Sequence, residues 1–345
     1  MNAFATEMRE QPAALRDLAN RYGGDEGRAR LVAAARAISA SALSPLLTGM
    51  GASYHAAAAM LPYWHALGAG GAVAEATDLL NYGAATLSGA GAMVYLSQSG
   101  RSAEVAPMIG RLPAGVPLVG ITNDPDSPLG RGAAHALPLV AGGETYVACK
   151  TYVNSLALLW LLGREVAGAT DGTEGDTLAA LAGRIDALLA EGEATAARWL
   201  DTLADAPRLI FVGHGPHAFT ARQCAMMAAE WAKRDVLFMG IGAFRHGFVE
   251  IVQPGDGMVV FAPPGPAAAS ARALADEIAG YGGRVLVVSH GETSGPHDAP
   301  ATSERDEWLA PLLDVIPAQL FVHDLALRHG IAPGFRYIAK VTTAL

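Results

Sequence analysis

The sequence predicts a doubly wound α/β fold that occurs twice in tandem. Short apolar runs rich in β-branched residues alternate with Ala/Leu-rich helical stretches, the pattern of a parallel sheet covered by helices on both faces. The pattern then repeats. Leu46 to Gly51 is echoed by Ile210 to Gly215, Met93 to Leu96 by Met258 to Phe261, and Pro117 to Gly120 by Val285 to Val288. Gly49 and Gly213 stand 164 residues apart, Met93 and Met258 165, and Pro117 and Val285 168, so one domain has been duplicated. Finally, the apolar run Ala92 to Leu96 runs into the hydroxyl-rich turn Ser97-Gln98-Ser99-Gly100-Arg101-Ser102. A strand handing over to a helix there is the layout of an anion cradle.

Taken in order, residues 1–30 read as a helical lead-in and 31–166 as the first domain. Its strands are Leu46 to Gly51, Ala92 to Leu96 and Pro117 to Gly120, with a helix expected from near Ala103. Residues 167–198 form the connector, a turn-rich loop from Gly168 to Gly175 followed by a helix from Asp176 to Leu200. Residues 199–332 are the second domain, with a helix from Thr220 to Glu230, and 333–345 are a C-terminal tail. The 345 residues, 51% of them hydrophobic, suffice for two cores. The longest purely apolar run, Leu156 to Leu162, is far short of the roughly 20 residues of a membrane span. No basic, apolar leader opens the chain. The expectation is a cytoplasmic protein without a membrane partner. With 24 basic and 33 acidic residues and no basic cluster, a nucleic-acid surface is not expected. Cys149 and Cys224 read as buried apolar groups, and neither a metal nor a cofactor is expected.

The chemistry-bearing residues are few. Ser97, Gln98, Ser99 and Ser102 could hold a phosphate through hydroxyl, amide and backbone N–H donors; the plainer reading is a serine-rich turn with an ordinary helix cap. The second-half counterpart, Ala262-Pro263-Pro264-Gly265-Pro266, has no hydroxyl, so only the first half can bind an anion this way. Glu230, alone at its helix end, is either a base or a solvated carboxylate beside Lys233 and Arg234. His214 and His217 have no carboxylate or thiol close in sequence to complete a metal site. The remaining histidines read as loop residues bonded to backbone.

The order of these segments resembles the SIS (sugar isomerase) family. The lead-in Met8-Arg9-Glu10-Gln11-Pro12, the glycine turn Gly49 to Tyr54, the serine loop, Ile121 to Asp124, Ser127 to Leu129, Ala141 to Glu144, Val147 to Thr151 and the tail Ala339 to Thr342 follow the family's order. The resemblance implies two tandem doubly wound, flavodoxin-like SIS domains. It implies phosphate contacts at Ser97, Gln98, Ser99 and Ser102 with Ser53 nearby, and secondary substrate contacts at Gly51, Glu144 and Ala148. It implies a proton-transferring base at Glu230, a ring-opening histidine at His246 and a tail lysine, Lys340, that closes over the open-chain sugar. A lysine in that role needs partial burial to act as a nucleophile. The implied assembly is a homodimer with the site at its interface and His246 supplied by the partner, the flanking Phe244 and Phe248 adding apolar contact area.

Departures bear on the reaction. Where aminosugar isomerases of the family carry a glutamate and a lysine before the base, this chain has Gln223 and Met227; Ala243 and Phe248 also break the pattern around the histidine. The phosphate loop is intact while the surroundings of the amino group are altered. The expected activity is aldose–ketose isomerisation or deamination of an aminosugar phosphate such as glucosamine 6-phosphate, releasing ammonia and a ketohexose 6-phosphate. A deglycase acting on a fructosamine phosphate and a non-catalytic phosphosugar sensor are the alternatives. The residues include no glutaminase-like segment, an expectation that favours breakdown over synthesis.

Overall fold

The computed structural model describes residues 2–290, 295–299, 304 and 306–342. One sheet contains β1 (Pro45–Gly49), β2 (Ala72–Glu75), β3 (Ala92–Leu96), β4 (Leu118–Thr122) and β5 (His135–Pro138), all parallel in the order β2-β1-β3-β4-β5. The other contains β6 (Leu209–Gly213), β7 (Val236–Gly240), β8 (Gly257–Ala262) and β9 (Arg284–Ser289), parallel in the order β7-β6-β8-β9. The duplication extends to register: Leu46 pairs with Met93 in the first sheet and Ile210 with Met258 in the second. An isolated parallel bridge from Val287 to Asp298 occupies the place of a fifth strand in the second.

The chain forms two discontinuous compact units, one of Met1–Arg9 with Gly183–Arg336 and the other of Glu10–Ala182 with Tyr337–Leu345. In the latter, β1, β3 and β4 are buried along their whole length, which is why they read as unbroken apolar runs instead of alternating ones. The helix Lys150–Val166 is buried from Lys150 through Gly163, and the Trp64 indole donates to Leu159 O at 3.0 Å to lock the helix Ala52–Ala66 against it. In the former unit, Ile210, Val212, Met258 and Val260 pack with Phe244, Leu274, Ile278 and Val287.

Gly51 and Gly215 take nearly the same left-handed conformation, φ 51° ψ −127° and φ 52° ψ −125°, at the start of equivalent helices. A side chain is strained there, so the glycine turn is a backbone requirement copied in both halves.

Several expectations need correction. The connector is not one helix: Glu174–Ala190 and Gly192–Leu203 are separated at Glu191, whose φ −89° ψ 9° is non-helical. The helix after the serine loop begins at Val105 instead of near Ala103. The helix ending at Glu230 begins at Pro216, not Thr220, with proline in its first turn where no N–H is needed. The helix Ala310–Arg328, at mean hydropathy 1.3, is long and apolar enough to cross a membrane, although no single run in it exceeds Leu156 to Leu162; 78% of that window is buried inside the protein.

Candidate functional site

In the first sheet the connections from β1 and β3 leave in opposite directions, which makes the gap between their carboxyl ends a topological switch point, the usual ligand crevice of such sheets. The turn carrying Gly51 and Ser53 and the loop Ser97 to Ser102 flank it. Their roots are closely packed at Gly49, where an added Cβ would lie 2.9 Å from Leu96 O and 3.0 Å from Ser53 Cβ. The loop is held from below. Gln98 O accepts from Asn123 N at 2.9 Å and Thr122 Oγ1 at 3.2 Å, and Gly100 N donates to Ser97 O at 3.0 Å. Gly100 has φ 61°, and a Cβ there would meet Ser127 Oγ at 1.9 Å, so Ser127 and Gly100 are fitted to each other.

The hydroxyls are close and lightly engaged. Ser97 Oγ lies 3.4 Å from Ser102 Oγ, and Ser99 Oγ accepts from Arg101 N at 3.1 Å. Gln98 and Ser53 are each half-buried. Beneath them Tyr95 is fully buried, and burial together with the Glu104 carboxylate pushes its phenol well above the usual tyrosine range, so it stays neutral. Arg101 is turned outward into an ion pair with Asp124 at 2.5 Å, which holds that carboxyl below the usual range.

The tail of the same unit docks here. Ala103 N donates to Thr342 O at 2.9 Å, and Lys340 Nζ donates to Glu144 Oε2 at 3.0 Å and Tyr146 O at 2.6 Å. The Glu144 side chain is completely buried. Its oxygens also accept from Cys149 N at 2.8 Å and from Thr151 N and Oγ1 at 3.2 and 2.5 Å. Both oxygens of Glu144 are thus engaged with protein, and in this arrangement it anchors Lys340. Ala148 is half-buried in the same turn. The approach to Glu144 is strained: Val140, β-branched, has φ 49°. The Asn123 side chain holds it there, accepting from Ala141 N at 2.8 Å and donating to Gly142 O at 2.6 Å. Lys150, buried, pairs with Glu10, so two of the sequence motifs lock each other. Residues 343–345 of the tail lie outside the described residues.

The other unit carries the two remaining candidates. Glu230 is half-buried as the last residue of the helix Pro216–Glu230. His246 caps the short helix Ile241–Arg245 and is exposed. Phe248 is 49% exposed beside it, but Phe244 is fully buried in the unit's own core. Of the two phenylalanines expected to widen an interface, only Phe248 can do so.

That unit also contains a cluster that sequence spacing did not reveal. Asp314, fully buried on the helix Ala310–Arg328, lies 2.9 Å from His217 Nδ1 and 2.7 Å from His290 Nε2. The carboxylate that His217 lacked locally thus comes from 97 residues away. Burial would raise the Asp314 carboxyl, but His290 and His217 outweigh it and hold it below the usual range; burial would lower His290, but Asp314 outweighs it and raises it. The signal was present: Asp314 is a lone carboxylate in an otherwise apolar stretch, fifth in its helix as Asn154 is in Lys150–Val166. Among the described residues, no group of three or more His, Cys, Asp or Glu side chains is arranged to hold a metal ion.

A family model described as SIS domain matches residues 40–163 and 202–328. Glutamine–fructose-6-phosphate aminotransferase (isomerizing) of Streptococcus pneumoniae is 24% identical over 333 residues, 94% of this chain and 55% of that protein. The chain therefore spans about half the length of such relatives. Tagatose-6-phosphate ketose/aldose isomerase of Escherichia coli superposes with TM-score 0.83 at 20% identity, covering 98% of this chain and 96% of that one. Glucosamine-6-phosphate deaminase of Thermotoga maritima superposes with TM-score 0.77 at 17% identity, covering 99% of each.

Proposed function

The chain belongs to the SIS domain family, and from that membership we propose that it is a phosphosugar enzyme moving a proton between C1 and C2 of an open-chain hexose 6-phosphate. The observation that carries the reading is the serine loop at the switch point, with the tail bonded to Ala103 and its lysine on buried Glu144. Three hydroxyls, an amide and backbone donors suit a phosphate dianion, whose hydrogen bonds are charge-assisted and about twice as strong as neutral ones.

In the proposed reaction the phosphate rests on Ser97, Gln98, Ser99 and Ser102 near Ser53, and His246 transfers a proton to the ring oxygen as the ring opens. The Glu230 carboxylate takes the proton from C2 and returns it to C1. With a 2-amino sugar this leaves a C2 imine, which one water hydrolyses to the ketose 6-phosphate and ammonia. Lys340 is the tail group poised over the open chain. Aminosugar deamination is supported by the relationship to the aminotransferase and by the fold shared with the deaminase. A plain ketose/aldose isomerase is the second reading, favoured by Gln223 and Met227, both fully buried where the family's charged neighbours of the base would stand. Ammonia release and isomer formation, measured across a panel of hexosamine and hexose 6-phosphates and fructosamine phosphates, separate these readings. Turnover of none of them would refute both.

The phosphate assignment predicts that the Ser97→Ala, Ser99→Ala double variant binds a hexose 6-phosphate about 10²-fold or more weakly, since each charge-assisted bond is worth roughly 1.5–3 kcal/mol. Unchanged affinity by calorimetry would place the phosphate elsewhere.

The proposed working unit is a homodimer in which His246 serves the partner's site; the exposed position of His246 beside half-exposed Phe248 supports this. Mixing inactive Glu230→Gln and inactive His246→Ala subunits should then restore activity, because a mixed dimer contains one complete site. No recovery after verified subunit exchange would assign the histidine to its own chain.

A further inference from the structure

Lys233 is one of two non-glycine residues with a left-handed backbone among the described residues, at φ 53°. It sits just past the helix Pro216–Glu230, where a helix commonly ends on glycine because a side chain is strained in that conformation. Arg234 N returns to Ala228 O at 3.2 Å across it, so the reversal is fixed by backbone bonds. Glycine would make the turn without strain; the chain keeps a lysine. Its half-buried side chain folds back so that Nζ donates to Glu230 O, and also reaches Gly334 O at 2.8 Å, 101 residues further on. One bond caps the helix that ends at Glu230, and the other ties down the root of the C-terminal tail. The far end of that tail is fixed separately, by Lys340 on Glu144 and Thr342 on Ala103.

A purely local cap would need only the Glu230 carbonyl. The bond to Gly334 has no local purpose and joins the two segments that carry the proposed base and the proposed tail lysine. Burial and the Arg336 charge lower the Lys233 ammonium, while Glu230 opposes them.

We propose that Lys233 is a positioning residue that latches the root of the C-terminal tail, at Gly334, to the end of the helix bearing Glu230, and so holds that helix end in one position. The inference deepens the functional reading above and rests on it for its catalytic consequence, but not for the latch itself.

The test uses the full chain with Lys233→Gly, which removes the side chain while relieving the backbone, and Lys233→Arg, which restores a donor. Hydrogen exchange of residues 334–342 should become at least tenfold faster in Lys233→Gly, with the melting temperature equal to or above the parent's, and Lys233→Arg should recover most of the protection. Kinetically, Lys233→Gly should lower kcat about tenfold with KM changed less than threefold. Exchange in 334–342 within twofold of the parent would overturn the latch, as would faster exchange spread over residues 183–336, which marks a general stabilising role. If the parent turns over none of the sugar phosphates, the functional reading fails while the exchange measurement still decides the latch.

Discussion

Replacing Glu230 with Gln is expected to stop exchange of the C1 and C2 hydrogens of a bound hexose 6-phosphate with solvent deuterium, while leaving affinity for the phosphate within about twofold. The substitution keeps size and shape, so the half-buried position gains no cavity, and the amide cannot accept a proton from carbon. A positioned general base contributes roughly 10²–10⁴-fold, and here one group must both take and return the proton, so both directions fail together. Phosphate affinity serves as the control because the donors of the serine loop belong to the other compact unit. Exchange at the parent rate, measured by NMR on the bound sugar, would remove Glu230 from the chemistry and leave phosphosugar binding as the surviving statement.

Much of the fold was legible because parallel strands buried on both faces must be continuously apolar: β1, β3, β6 and β8 read directly from the chain, and the spacing of Gly49 and Gly213 exposed the duplication. The serine loop was legible because strand, glycine and hydroxyls are contiguous. What depends on contacts between distant residues was not. The break at Glu191 is marked in sequence only by the single Gly192 beside it, which a helix can also carry in its interior, and Phe244 looks the same in sequence whether it faces its own core or a partner. The engagement of Glu144 with Lys340 spans 196 residues. Nothing local to Lys233 signals that its amine finds Gly334. The His217, Asp314 and His290 cluster was missed for the same reason: its members sit on a helix, another helix and the end of β9, so spacing rules for metal or catalytic sites cannot register it.

That cluster makes the other large expected effect. Asp314→Asn keeps the shape of the side chain, and asparagine stands at the equivalent helix position in the first half as Asn154. The variant nevertheless takes from His290, whose side chain is buried and raised by Asp314, its nearest counter-charge. Breaking a buried ion pair from one side typically costs about 3–5 kcal/mol, and at roughly 2–4 °C per kcal/mol for a unit of this size the melting temperature should fall by about 6–20 °C. The pH dependence gives the sign. Asp314 is held below the ordinary carboxyl value of about 3.9, so its contribution is present above that value and is lost as pH falls through the native one. His290 is raised above about 6.5, so its contribution is complete below that value and is lost as pH rises through the native one. The stability gap between parent and Asp314→Asn should therefore be widest between about pH 4 and 6.5 and narrow as pH rises above that window. Thermal unfolding of both proteins across that range checks it: a gap that stays constant to alkaline pH would mean that His290 is neutral in the native protein and that the cluster is held by hydrogen bonds alone.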